Sequence, residues 1–348
     1  MIVNRNFGLD LIRVIAILLV LLAHTGIRTV CGFKIGILGV EIFFVLSGFL
    51  IGQILIREFS HGINYKIILN FWIRRWFRTL PLYYAILILK FILIDSALGW
   101  KIIVYFVFLQ NNFVGIDFLP ISWSLVIEEW FYIIVPILLF FFFKNGVTKQ
   151  KLSFFLIAFI VFENIVRIFW VFYSQRPYSG IVGNFPFRLD SLMVGVLLAH
   201  IKINYHLLYQ YLLNLKVFFA ALLCLLAMIL VLGNISIQGD LKDQLIWTRT
   251  IWFTLLSVII SLMIPFVATI KISSINFFGK IITSLSLYTY AMYLTHSFVF
   301  EWIIISKEKT LDWAWRAPLA ILITIVISGF IFKFFEKPMM DLRDKVKF

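Results

Sequence analysis

A chain of 348 residues that is 62% hydrophobic and 14% charged cannot clothe itself in the polar surface a soluble protein of this size needs. Its apolar runs are continuous rather than alternating, which excludes a membrane barrel and indicates an all-α, polytopic helical bundle in a membrane. The net charge of +14 sits mainly in short loops, where it marks topology rather than affinity for nucleic acid.

Ten spans are predicted, near 9–27, 35–56, 81–97, 121–143, 152–173, 185–201, 216–233, 250–270, 281–305 and 314–333. Together, residues 1–348 read as a single membrane-embedded domain. A basic cytoplasmic segment covers 57–80 and a short cytoplasmic tail covers 334–348. The stretch 102–114 is apolar but too short to span, and is expected at the outer interface. Both termini then face the cytoplasm. The basic clusters at Arg57–Arg78 and Lys144–Lys151 and the tail running to Lys347 join them there, as the positive-inside rule requires. Asp10 and Arg13 interrupt the first apolar run and no small-residue cleavage site follows it, so it reads as a retained span rather than a signal peptide. Cys31 and Cys224 offer no disulfide framework. Neither a metal-ligand cluster nor a glycine-rich phosphate loop occurs, so no bound metal or cofactor is expected.

The first span carries Arg13 and His24. Their spacing is almost three helical turns, which sets both on one face about 16 Å apart along the axis. Charges at membrane depth are costly unless they pair or line a wet cavity, and histidine is the side chain that titrates near neutrality. The residues alone leave two readings. Either the pair marks an intramembrane site, or Arg13 snorkels to one interface while His24 sits in the opposite headgroup layer. Asp10 shares the arginine's face and offers a counter-charge.

Further along, Arg74, Arg75 and Arg78 lie on about one turn. They suit phosphate recognition through forked hydrogen bonds, or, as the residues alone favour, lipid anchoring. Pro81 is expected to open the span that follows them. Glu128 and Glu129 are adjacent within a span and point in different directions, one toward a basic partner and one toward a cavity. Ser124 shares a face with Glu128. Glu163 and Arg167 read as a structural ion pair. Arg188 and Asp190 sit near the outer end of their span. Tyr293 and His296 share a face, with His296 either a second proton handler or a hydrogen-bonded core histidine.

Seven segments now stand in order: LDLIRVIAILLVLLAH (9–24), GVEIFFVLSGFLIG (39–52), RRWFRTLPLYY (74–84), WSLVIEEWFYIIVP (123–136), FRLDSLMVGVLLA (187–199), LYTYAMYLTH (287–296) and FEKP (335–338). In that order the chain resembles the integral-membrane acyltransferases of family three, of the bacterial surface-polysaccharide O-acetyltransferase type. The resemblance implies a ten-span core that moves acyl groups, often acetyl, to carbohydrate hydroxyls. It makes His24 catalytic with Arg13, puts Arg75 and Arg78 in acyl-CoA binding, and brings in Trp123, Ser124, Leu125 and Glu128. Glu41 stands where the pattern leads one to expect the shorter aspartate. Some members carry a soluble hydrolase-like domain after the core. This sequence stops at Phe348, so transfer is expected from the membrane unit alone.

The expected activity is therefore acyl-CoA-dependent O-acetylation of a sugar in a cell-surface polysaccharide such as O-antigen, at the inner membrane. Acetyl-CoA is the cosubstrate and a lipid-linked glycan the acceptor. Arg74, Arg75 and Arg78 would hold the donor phosphates, and His24 would act as base or carry the acyl group. Arg13 would orient the pantetheine arm or stabilise the thioester oxygen. Glu128 and Tyr293 would position the acceptor, with Asp10, Glu41, Ser124, Glu129, Arg188, Asp190 and His296 as further substrate-side candidates. A flippase or transporter of a lipid-linked sugar is the competing class, weakened by the lack of repeat symmetry. A relay to a soluble partner is the third. Acceptor identity and oligomeric state stay open.

Overall fold

The computed structural model describes residues 5–25, 29–60, 62, 64–93, 98–144, 148–174, 178–238, 241–272, 276–305 and 313–345. Among them, ten helices of 16 to 29 residues follow the predicted apolar runs: α1 (Phe7–His24), α2 (Ile35–Ser60), α3 (Tyr65–Leu93), α4 (Trp123–Phe143), α5 (Lys149–Ser174), α6 (Leu189–Asn204), α7 (Leu215–Ile237), α8 (Ile251–Val267), α9 (Phe277–Phe300) and α10 (Trp313–Ile331). Through the π-helical turn Phe332–Glu336, α10 continues into α11 (Lys337–Lys345), which ends the described chain. Seven runs are individually long and apolar enough to cross a membrane. At 16 residues, α6 is shorter, and it breaks by 117° into the helix His206–Leu212. The predicted ends at 26–27 and 94–97, and Lys347 of the basic tail, lie outside the described residues.

Helix starts follow from capping chemistry. Asn6, Asn214 and Asn276 each accept a backbone N–H at the head of α1, α7 and α9, which satisfies donors a helix leaves free. Apolar side chains such as Phe154, Phe162 and Phe169 on α5 point outward, as they do where lipid rather than water is the solvent.

One predicted boundary differs. The basic segment 57–80 and the following span are not separate. Instead α3 runs unbroken from Tyr65 to Leu93 with Pro81 inside it. Proline removes a backbone donor and favours a break, but both halves are tied to the bundle. Before the proline, Trp72 donates to the Tyr132 carbonyl at 2.8 Å and the Thr79 carbonyl accepts from the Tyr290 hydroxyl at 2.6 Å; after it, the Tyr83 hydroxyl donates to the Tyr105 carbonyl at 3.0 Å. At 29 residues, α3 is about 43 Å long, longer than the ~30 Å hydrocarbon layer. The stretch 102–114, as expected, does not span. It forms the short helices Ile102–Phe106 and Gln110–Phe113. Tyr83, Tyr84 and Trp130 donate to its carbonyls at Tyr105, Phe106 and Phe108.

At the centre, α2 and α6 pack backbone to backbone. A Cβ on Gly48 would stand 1.9 Å from the Leu192 carbonyl oxygen, and one on Gly195 2.2 Å from that of Val45. Small residues permit such close approach where helix association depends on packing.

A closed ionic network then joins α2, α5, α6 and α8. Glu41 accepts from Arg188, Ser191 and Ser257. Arg188 lies 4.0 Å over the Phe253 ring. Arg167 keeps its predicted pairing with Glu163, at 3.9 Å, and adds a closer one with Asp190, at 2.7 Å. Glu163 also accepts the Leu189 N–H at 2.6 Å, at the head of α6. A carboxylate that caps a helix gains from its dipole as well as from the bond.

Replacing Glu41 by Ala strands a fully buried Arg188, and is expected to cost roughly 3–5 kcal/mol. Gly48→Ala is expected to cost roughly 1–3 kcal/mol through overpacking. Both are read as a lower temperature at which the detergent-solubilised protein loses its monodisperse chromatographic peak. Parental melting of either variant would refute the corresponding contact.

Candidate functional site

Asp10 begins the site. Its carboxylate is buried in the first turn of α1 and takes Arg13 at 2.6 Å, Arg5 at 2.9 and 2.7 Å, and the Ser286 hydroxyl at 2.8 Å. Asp10 thus serves Arg13 from behind and is not itself on a cavity wall. Arg13, so held, lines a cavity of about 150 Å³. Arg75, Arg78 and Thr79 of α3, Ser47 of α2, Ser124, Glu128 and Tyr132 of α4, and Thr289, Tyr290 and Tyr293 of α9 complete the polar part of its wall. The structure therefore brings Arg13, Arg75, Arg78, Ser124, Glu128 and Tyr293 together, as six of the sequence-selected residues.

The paired glutamates separate as their spacing requires. Glu128 faces the cavity and accepts from Ser47 at 2.7 Å and from the Tyr132 hydroxyl. Glu129 is buried behind the wall and accepts from Thr79 at 2.7 Å. Neither forms an ion pair among the described residues, so the basic partner expected for one of them is replaced by hydroxyls. Arg75 lies 5.4 Å over the Tyr132 ring, a stacked placement suited to a guanidinium.

Ser124 and the Tyr293 hydroxyl are 2.6 Å apart. The tyrosine proton is directed to the Ile121 carbonyl at 2.9 Å, so Ser124 is the donor to Tyr293. One turn beyond Tyr293 is His296, fully buried, whose Nδ1 faces the Tyr293 carbonyl at 2.7 Å. A carbonyl only accepts, so Nδ1 carries the hydrogen and Nε2 keeps its lone pair. That Nε2 is buried without a partner. His24 meets the His296 ring edge-on, with centroids 4.7 Å apart. Its own Nδ1 is fixed by the Val20 carbonyl at 2.8 Å, and the residue is exposed. The two readings of the Arg13–His24 stripe thus resolve into a gradient. Arg13 is on the cavity wall, and His24 is beyond its far end, joined through His296 and Tyr293.

Outside the Arg75 and Arg78 end lies a second cavity of about 770 Å³. Arg74, Arg75, Arg78 and Asn70 of α3 line it with Glu58 of α2 and with Arg343 and Asp344 of α11. Arg75 and Arg78 belong to both cavities. Glu41, Arg188 and Asp190, expected near substrate, lie instead in the closed network described above and line neither cavity. Sequence reasoning missed Arg5, Ser47, Thr79 and Tyr132. Ser47 and Tyr132 carry the one usable signal, polar groups at helical spacing on faces otherwise apolar. Among the described residues, no group of three or more His, Cys, Asp or Glu side chains is arranged to hold a metal ion.

Residues 6–333 match the model of a family described as an acyltransferase domain. The chain is similar to O-acetyltransferase OatA of Staphylococcus aureus strain NCTC 8325, with 30% identity over 216 residues, 56% of this chain and 34% of that protein. A protein of S. aureus strain COL named "Putative O-acetyltransferase" shows 30% identity over 213 residues, 55% of this chain and 34% of the other. The "Putative peptidoglycan O-acetyltransferase YrhL" of Bacillus subtilis strain 168 shows 34% identity over 151 residues, 38% of this chain and 23% of the other. In these alignments the chain spans about a third of the S. aureus proteins' length, and less of the B. subtilis one. No solved structure matches it significantly.

Nitrogen-15 spectra of histidine-labelled protein are expected to show His24 and His296, when neutral, as Nδ1–H tautomers. An Nε2–H signal for either ring would contradict the carbonyl contacts.

Proposed function

The chain belongs to this acyltransferase family, and from that premise we propose that it is a multi-pass membrane O-acetyltransferase that carries acetyl from acetyl-CoA to a carbohydrate hydroxyl. The observation that carries the proposal is that an arginine-lined outer cavity and a narrow inner one adjoin at the shared Arg75 and Arg78. A polyanionic head with a slender neutral arm fits that shape. Arginine forks grip phosphate oxygens, while the inner space of about 150 Å³ admits a chain rather than a glycan. Both termini and the outer cavity are assigned to the cytoplasm, where acetyl-CoA is made, in the inner membrane of the cell.

In this mechanism Arg74, Arg75 and Arg78 hold the donor phosphates and the arm runs inward past Arg13. About 16 Å of helix separates Arg13 from His24, which favours Arg13 as a guide for the arm over a role at the thioester oxygen. His24 Nε2, left free by the Val20 contact, removes the acceptor's hydroxyl proton as its oxygen attacks the thioester carbonyl. The carbon–sulfur bond breaks, and the thiolate recovers that proton. Because His24 is exposed, the acceptor approaches from its end of the bundle. A lipid-linked surface glycan such as O-antigen is the acceptor class we favour. Glu128 sits on the inner wall among Ser47 and Tyr132, and acts on the arm or on the wall's shape.

His24→Ala is expected to fold normally and lose about 10²–10⁴ in transfer rate, followed as CoA release from acetyl-CoA by purified protein with a glycan acceptor. Retention of full release would sink the catalytic assignment, and substrate movement without any CoA release would mark a transporter. Arg78→Ala is expected to raise the KM for acetyl-CoA about tenfold, the loss of one charge-assisted phosphate contact. An unchanged KM would remove Arg78 from the donor site.

A further inference from the structure

The outer cavity has one wall that lies beyond the matched residues 6–333. The family match ends at residue 333, whereas α11 begins at Lys337 and packs against α3. Two of its side chains, Arg343 and Asp344, line the cavity together with the α3 arginines. Arg343 is mostly buried, at 17% exposure. Its Nε and one terminal nitrogen are both held by Asp344 at 2.8 Å. The other terminal nitrogen has no partner among the described residues. The cavity wall therefore presents four guanidiniums, from Arg74, Arg75, Arg78 and Arg343, against the carboxylates of Glu58 and Asp344.

These four do not occupy equivalent places. Arg75 and Arg78 line both cavities and so stand at the junction, whereas Arg74 and Arg343 line the outer cavity alone. Coenzyme A has the same order. Its pyrophosphate joins the pantetheine arm, and its 3′-phosphate sits on the ribose, farther from the arm. With the arm directed inward, the pyrophosphate falls at the junction and the 3′-phosphate falls outside it.

We propose that Arg343, presented by the tail helix to the cavity that Arg74 also lines, binds the 3′-phosphate of the acyl-CoA donor, and that Asp344 holds its guanidinium in place for that contact. This rests on the acyl-CoA reading above. It makes α11 a specificity element that distinguishes coenzyme A from its 3′-dephospho form. Arg343 contributes a planar fork that lysine does not reproduce, so the two residues are not interchangeable here.

The test is competition binding on the purified full chain, with radiolabelled acetyl-CoA displaced by coenzyme A or by 3′-dephospho-coenzyme A. The parent is expected to favour coenzyme A by about tenfold, the size of one charge-assisted phosphate contact. Arg343→Ala is expected to bring that ratio close to one, Arg343→Lys to recover only part of it, and Asp344→Asn to reduce it. Dephospho-coenzyme A affinity itself should stay at the parental value in Arg343→Ala, which separates a lost phosphate contact from a damaged fold. A parent that binds both competitors equally overturns the proposal and leaves Arg343 to a lipid headgroup. A ratio unchanged by Arg343→Ala overturns it while the donor reading stands. A parent that binds no acetyl-CoA overturns the donor reading and this inference with it.

Discussion

An ionised carboxylate placed away from water must be compensated where it stands, and in this bundle Asp10 meets that requirement by gathering Arg5, Arg13 and Ser286 around itself. Ser286 belongs to α9, so the same cluster that neutralises Asp10 also seats the first helix against the ninth. The consequence reaches along both helices. Once α1 and α9 are registered at this end, His24 and His296 meet near the other, and Tyr293 is carried to Ser124. The location of the site is therefore set by one charge that could not be left alone.

The bundle solves its second charge problem separately. Glu41, Arg188, Asp190, Arg167 and Glu163 compensate one another in a region where Gly48 and Gly195 bring α2 and α6 into backbone contact. That network faces no cavity and holds the helix that supplies Ser47. Two polar clusters thus divide the work: one is closed and keeps its helices in register, while the other is open on one side and keeps Arg13 available.

The helices were largely legible because each needs a long apolar run, and such runs are local. The Arg13–His24 stripe and the Ser124–Glu128 face were legible for the same reason, since helical period alone relates them. Tertiary partners were not. Arg167 has a visible neighbour in Glu163 one turn away, yet its closer partner is Asp190 from another helix, and no periodicity points there. Pro81 signals a break, and it is overruled by hydrogen bonds that α3 makes on both sides of it, from Trp72 to an α4 carbonyl and from Tyr83 to the Tyr105 carbonyl. Arg343 sits in a tail that reads only as basic, and its place on the same cavity as Arg74 depends on the continuation of α10 through a π-helical turn into α11, which packs on α3.

His24 stands at an open edge of the bundle, while the cavity that Arg13 lines is narrow and ends short of it. Under the proposed reaction this asymmetry separates two kinds of selectivity. A donor must thread its arm through a confined passage, so each added methylene on the acyl group meets the wall. An acceptor needs to bring only one hydroxyl to the edge, with the rest of the molecule left outside. A polymer would then be modified within its length without passing an end through the protein. The enzyme would be strict about what it gives and tolerant of the size of what receives it.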